Sequence, residues 1–413
     1  MLLVAQLAPP SNLVAARRVA GMTKYLARLG HPVTVLTSLA SGSGPIEGAA
    51  DIVRTRDALT SRLNWRRRHF AALSGSRDEA AYKPPSRLAS VVVPDLGLLT
   101  WLPFALPRAL ALSGRRRFDC VVTTSPPQSA HLIGLALRRR GIRWIAEFRD
   151  GWTFEPPRSA WPLRSQRSLD ERLERLVATH ADAVVAVTAP IAQDFEGRLG
   201  VPAELITNGF DPDEAPPPEP EPDALLASDR HSFVHTGRMA LSRVTPRPLL
   251  EALRLLQGEH RAVAERLEIV FAGSLTEDER GLLAAPDLDG TVRATGWLER
   301  PRALRLQRAA DTLLLLTEGS SRRSVATGKL YEYLLARRPL LVLGDETEAA
   351  RIVSETRTGL ATSADDPVEI AAALKRFVEC DWAQERDEDA IGRYSWASLG
   401  RQYSELIQRV CAG

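Results

Sequence analysis

Cysteine is scarce in this sequence. Cys120, Cys380 and Cys411 are odd in number and far apart. That excludes a disulfide framework or a cysteine-based zinc spacing and makes a reducing cytoplasm the expected compartment. Lysine is almost as rare: Lys24, Lys83, Lys329 and Lys375 are the whole complement, and arginine carries nearly all of the positive charge. Acid and base almost cancel, at a net charge of +3, too mild a balance to imply nucleic acid. A membrane-length apolar run is missing too. Val91 to Leu112 is rich in apolar residues but contains Asp95, Arg108 and three prolines, which argues against a membrane span. The opening MLLVAQLAPP has no basic leader and runs straight into a strand-like pattern, unlike a signal peptide.

What is present is a chain of 413 residues with the composition of a globular protein, long enough for two domains of about 200 residues each. Its most informative stretch is Thr317 to Gly344, TEGSSRRSVATGKLYEYLLARRPLLVLG. A short apolar run, Asp311 to Leu316, precedes it, and another, Pro339 to Gly344, ends it; both have the character of buried parallel strands. The helix between them starts near Lys329 and is expected to carry Arg337 and Arg338 in its last turn, where cations suit the helix dipole. A loop rich in Ser, Thr, Arg and Gly empties onto its N-terminus. Backbone amides there, with Arg322, Arg323 and Lys329, suit an anion. Such a site would lie outside the carboxyl end of a parallel strand, where open α/β sheets bind ligands. An ordinary βαβ turn with a solvated loop is the competing reading.

In chain order, residues 1–40 read strand, loop, helix, strand, with Arg17 and Arg18 opening the helix; solvated helix arginines are the alternative. Residues 41–90 are irregular. Within them, Arg62 to Phe70 mixes cations and aromatics and suits either a mobile surface loop or peripheral contact with an anionic membrane. Phe118–Thr124 is a strand followed by Ser125-Pro126-Pro127 and a helix with His131 near its start. Ile142–Ala146 is a strand ending in Glu147-Phe148-Arg149-Asp150-Gly151-Trp152. Charges at the tip of a buried strand are poorly explained by packing, so Glu147, Arg149 and Asp150 are functional candidates; an internal ion pair between Arg149 and a carboxylate is the alternative. The Asp211-Pro212-Asp213 triplet sits in a turn leading to a Pro/Glu tract and reads as linker rather than metal site. Residues 214–229 are proline-stiffened and acidic, and a second αβ series follows.

The motifs in this order make the chain resemble the retaining nucleotide-sugar enzymes of glycosyltransferase family 4. They are AQLAPPSNLVAARRVAGMTKYLARLGHPVTVLT, Pro94-Asp95 with Trp101, TTSPPQSAHLIGLALRRRGIRWIAEFRDGW, ITNGFD, HTGRM, VFAGS, ATGWLER, TGKLYEYLLARRPLLVLG and Ser395-Trp396. The similarity is greatest to a subgroup with a Phe-Arg-Asp-x-Trp motif. It implies an α/β GT-B fold: two Rossmann-like domains facing a cleft, at 1–213 and 230–385, joined by the 214–229 linker. A C-terminal segment, 386–413, would cross back to the first domain.

The resemblance also implies roles. Gly237 and Arg238 would meet the donor pyrophosphate, with Arg243 where relatives carry a Lys. Thr327, Gly328, Lys329 and Leu330 would complete the phosphate side, and Glu332 would accept the ribose hydroxyls. Ser320 and Ser324 would lie in the donor-sugar loop, and Arg18, Ser125 and His131 on the acceptor side. Ser324 stands eight positions before Glu332, where relatives usually have another glutamate. Val14-Ala15-Ala16 replaces a common Gly-Gly pair, and Arg149-Asp150 a common His-Asp. The implied reaction transfers a sugar from a UDP- or GDP-sugar to an acceptor hydroxyl, on a lipid-linked saccharide or a small molecule, with retention and without a metal. Fixed cations and helix amides would stabilise the departing diphosphate, while Asp150 or Glu147 would orient the acceptor. A non-catalytic nucleotide-binding subunit, a natural-product glycosyltransferase or a nucleotide-sugar epimerase are the alternatives, since one fold hosts many functions.

Overall fold

The computed structural model describes residues 1–11, 14–58, 91–156, 161–214, 223–239, 244–318, 322–380 and 386–413. The chain divides into two compact units, Met1–Gly209 with Trp396–Gly413, and Phe210–Ser395. The second unit therefore begins ahead of the proline-rich tract. It also keeps the short helix Glu388–Arg393, while Trp396–Ala412, the terminal helix, belongs to the first unit.

The first unit is built on a seven-stranded parallel sheet. Its strands are β1 (Leu2–Val4), β2 (Val33–Ser38), β3 (Ala49–Thr55), β4 (Cys120–Ser125), β5 (Arg143–Phe148), β6 (Ala183–Ala186) and β7 (Ala203–Leu205), ordered β3-β2-β1-β4-β5-β6-β7. The central strands are short apolar runs buried along their whole length, as a sheet covered on both faces requires. Chain direction across the sheet reverses between β1 and β4, so the carboxyl ends of these two strands flank the switch point where such sheets bind ligands. Helix α1 (Val14–Arg28) packs Val19, Met22 and Leu26 against one face, and helix α2 (His131–Arg138) packs on β4 and β5. The terminal helix lies along α1 and sends Trp396, Leu399, Tyr403 and Leu406 into the same core as Val19 and Met22.

Strand β3 corrects the reading of residues 41–90 as irregular. It is a half-exposed edge strand, and its Thr55 hydroxyl accepts the indole N–H of Trp101 at 2.9 Å. The basic, aromatic segment 62–70 lies outside the described residues. Among the described residues, no helix is long and apolar enough to cross a membrane.

The second unit repeats the plan with six parallel strands: β8 (His231–Thr236), β9 (Leu267–Ala272), β10 (Val292–Ala294), β11 (Thr312–Leu316), β12 (Leu340–Leu343) and β13 (Gly359–Thr362). Their order is β10-β9-β8-β11-β12-β13. The switch point here falls between β8 and β11. Helix α3 (Gly328–Ala336) follows β11 and buries Leu330, Tyr331, Tyr333 and Leu334. It stops before the expected arginines: Arg337 is the C-cap, in the left-handed conformation at φ 61°, and Arg338 lies beyond it.

Candidate active site

In the first unit, the acceptor-side candidates gather at the carboxyl ends of β4 and β5, but most face inward. Arg18 is 2% exposed and Glu147 fully buried. The Arg18 guanidinium donates to Glu147 Oε2 at 2.8 Å, to the Thr207 and Ile206 carbonyls at 2.6 and 2.8 Å, to Asn208 Oδ1 at 3.2 Å and to the Tyr403 hydroxyl at 3.0 Å. It also lies against the Trp396 and Tyr403 rings. Glu147 Oε1 accepts the Thr124 hydroxyl at 2.5 Å. Both carboxylate oxygens are therefore engaged in a dry ion pair, the kind that breaks badly when one partner is lost. This corrects two expectations. Arg18 does not present a cation to an acceptor, and Glu147 does not offer a free carboxylate. An internal ion pair does form at this strand tip, with Arg18 rather than Arg149 as the cation.

Ser125 is also buried, its hydroxyl donating to the Glu147 carbonyl at 3.3 Å. His131 is fully buried among Phe148, Trp152 and Trp144, with its ring 4.5 Å from that of Phe148. Its Nδ1 meets the Thr123 hydroxyl at 2.8 Å, and that oxygen also accepts the Trp144 indole N–H at 2.8 Å. Nε2 has no hydrogen-bond partner among the described residues. Burial, with Arg149 nearby, pushes the His131 pKa down to about 3, so the ring is neutral. Arg149 and Asp150 are half-buried. Arg149 donates to the Pro126 carbonyl at 2.5 Å, and burial, opposed by Glu147 and Asp150, pushes its pKa down to about 10. These two are the expected catalytic residues that remain near the surface.

In the second unit, the candidates converge at the end of β8 and the start of α3. Gly237 leaves β8 at φ +82°, and a side chain there would press on Lys329 Cε at 3.1 Å. Behind it, a Cβ on Gly273 would meet the Gly237 carbonyl oxygen at 2.2 Å, so two glycines let the loops after β8 and β9 touch. Lys329, the second residue of α3, sends Nζ to the Arg238 carbonyl and to within 3.0 Å of His235 Nε2. His235 Nδ1 lies 3.0 Å from the Leu314 carbonyl, which can only accept, so Nδ1 carries the proton and Nε2 receives the Lys329 ammonium.

Among the described residues, that ammonium thus has neutral hydrogen-bond partners. Burial pushes its pKa down to about 7, against a raising influence from Glu279, and burial with Lys329 beside it pushes His235 down to about 3. His235 carries no role in the sequence reading. Its partners lie on β11 and α3, which only the fold brings together.

The other donor-side residues divide. Arg238 is half-buried and lowered in pKa by burial, partly offset by Glu279. Thr327 is the N-cap of α3, yet its buried hydroxyl has no hydrogen-bond partner among the described residues. Gly328 gives the first turn its open amide, and Leu330 is core. Glu332 is half-buried, and its Oε1 accepts Arg300 at 2.8 Å. Ser324 is 3% exposed. Arg322 lies 3.4 Å from Glu318, and Arg323 lies 2.7 Å from Glu346. Each of these two loop arginines thus has a carboxylate beside it, unlike the Lys329 ammonium, whose hydrogen-bond partners among the described residues are neutral. Arg243 and Ser320 lie outside the described residues.

Comparison with known proteins agrees with this architecture. Residues 15–209 match the family described as glycosyl transferase 4-like domain. No curated protein sequence gives a match. Among solved structures, the chain is similar to sucrose-phosphate synthase from Thermosynechococcus elongatus, at 16% identity and TM-score 0.67 over 100% of this chain and 98% of that one. It is also similar to an α,α-trehalose-phosphate synthase (UDP-forming) from Burkholderia vietnamiensis, at 14% identity and TM-score 0.66 over 100% and 99%. An Anabaena protein, HepE, in complex with UDP matches at 15% identity and TM-score 0.60 over 99% of each chain. The fold is GT-B: two Rossmann-like domains, each with a parallel sheet.

Proposed function

We propose that the protein is a retaining, nucleotide-sugar-dependent glycosyltransferase of the Phe-Arg-Asp-x-Trp type, with its donor phosphates bound at Lys329. The observation that carries this reading is the Lys329 ammonium. It is partly buried at a helix N-terminus, beside a glycine-opened loop, and its hydrogen-bond partners among the described residues are a carbonyl and an imidazole nitrogen. A diphosphate placed there would gain the ammonium, the α3 amides and the Thr327 hydroxyl. Each of these stabilises the negative charge that grows on the leaving group as the glycosidic bond breaks. UDP in the Anabaena complex, UDP-2-fluoro glucose in an E. coli trehalose-6-phosphate structure and the UDP-forming Burkholderia enzyme favour a uridine nucleotide.

In this reading the acceptor hydroxyl attacks the face that the diphosphate leaves, and the departing phosphate oxygen takes its proton. Asp150 and Arg149 orient the acceptor, while Arg18 and Glu147 hold the strand tip from beneath. Glu332, held in place by Arg300, takes the ribose hydroxyls. The buried Ser324, standing where relatives carry a glutamate, favours a second reading in which nucleotide is bound without transfer.

The test is calorimetric titration with UDP. Lys329→Ala should weaken binding about 10–100-fold, the value of one charge-assisted contact. Wild-type affinity in that variant would end the assignment. Turnover of a UDP-sugar by the wild-type protein separates transfer from binding alone.

A further inference from the structure

At the edge of the second sheet opposite the donor site lies a cavity of about 600 Å³. It opens where the strands begin: Arg266 precedes β9, Asp311 precedes β11, Arg338 precedes β12, and His231 is the first residue of β8. Four arginines line it, Arg266, Arg337, Arg338 and Arg386, together with Asp311 and Glu379. Asp311 Oδ2 accepts both the amide and the hydroxyl of Ser232, at 2.8 and 2.9 Å, and its charge partly offsets the fall that burial imposes on the Arg338 pKa. Among the described residues outside the lining, Glu388 is shared between Arg337 at 2.7 Å and Arg386 at 3.3 Å. Arg338 and Arg386 reach backbone carbonyls, those of Arg308 and Leu334. The buried Nη1 of Arg386 has no hydrogen-bond partner among the described residues.

Helix-dipole complementarity accounts for a cation or two at this edge, where helices end. It does not account for four converging on one cavity. Burial lowers the pKa of Arg386, with Glu388 opposing and Arg337 and Arg308 adding to the fall. Burial likewise lowers Arg308, and Arg338 and Arg337 lower it further. Like charges are thus held together at a cost that a bound polyanion would remove.

The geometry points to a second anion site: a cavity at the amino edge of the second sheet that takes a small, phosphate-bearing molecule, separately from the donor site. Its volume is in the range of pockets that enclose small ligands, and planar guanidiniums match phosphate oxygens in pairs. The site stands independently of the glycosyltransferase reading.

Cys380 lines the cavity, while Cys411 lies in the terminal helix of the other unit, and both are exposed. Alkylation of the full-length protein by iodoacetamide, followed by mass spectrometry, therefore reads the cavity directly, with Cys411 as internal reference. Inorganic triphosphate is the probe. At ten times its dissociation constant it should slow Cys380 about tenfold and leave Cys411 unchanged. Lys329→Ala, which empties the donor site, should keep that protection. The double variant Arg266→Gln, Arg337→Gln should lose it. Both residues are exposed, so the fold should tolerate the change, and Arg266→Gln alone serves as a milder check. No slowing of Cys380, equal slowing of both thiols, loss of protection in Lys329→Ala, or its survival in the double variant would each overturn the proposal.

Discussion

Arg18 and Lys329 invite comparison, one in each unit: each sits near the start of a helix that follows a strand at the switch point, Arg18 fully buried and Lys329 partly so. Their partners differ. Arg18 has a carboxylate at 2.8 Å, and its remaining acceptors are the Thr207 and Ile206 carbonyls, Asn208 and Tyr403. Lys329 has a carbonyl and a neutral imidazole. A buried cation whose charge is answered inside the fold belongs to the architecture. One whose hydrogen-bond partners among the described residues are dipoles, with Glu279 as a weaker influence, leaves room for an anion. The difference separates scaffold from site more sharply than the identity of either residue does.

The largest effect expected from this contrast is on stability. Arg18→Met or Glu147→Gln should each cost roughly 3–5 kcal/mol, because either leaves its partner buried and unpaired. The double variant Arg18→Met, Glu147→Leu should cost much less than the two singles combined, as urea unfolding would measure. Singles costing less than about 1 kcal/mol would return Arg18 to the acceptor site. Acid sensitivity comes next. His131 and His235 are pushed down to about 3 in the folded protein from an ordinary 6.5. The unfolded chain therefore binds more protons between those values, and stability should fall as pH drops below about 6.5. Each ring contributes up to about 1.4 kcal/mol per pH unit, and His131→Phe should shallow the slope.

The smallest effects concern Lys329. Its removal should leave stability unchanged or slightly raised, since no internal carboxylate loses a partner. Bound UDP should raise the Lys329 pKa from its free value of about 7. Affinity should therefore be full below that value and fall as pH rises through it, by up to about tenfold per unit. A profile as flat as that of Lys329→Ala would break the comparison from its other side.

The doubly wound plan was legible because the central strands are bare apolar runs, such as Leu313 to Leu316, alternating with periodic helices. Strand β3 escaped because an edge strand that is half exposed shows neither a continuous apolar run nor clean alternation. The positions of Gly237, Lys329 and Glu332 in the fold could be read because their spacing to a strand end or helix start is local. The role of Arg18 could not, since its acceptors come from β5, the 206–208 turn and the terminal helix. His235 was hidden for the same reason, and the left-handed turn at Arg337 carries no glycine to announce it.

The reach of Arg18 also bears on how the molecule is made. Tyr403, one of its acceptors, lies 385 residues further along the chain. At about 5–20 residues per second, a ribosome needs roughly 20–80 s to supply it. During that interval the second unit can be translated in full, while the first, begun earlier, still lacks the helix that covers Arg18. The half of the protein synthesised first is thus the half completed last.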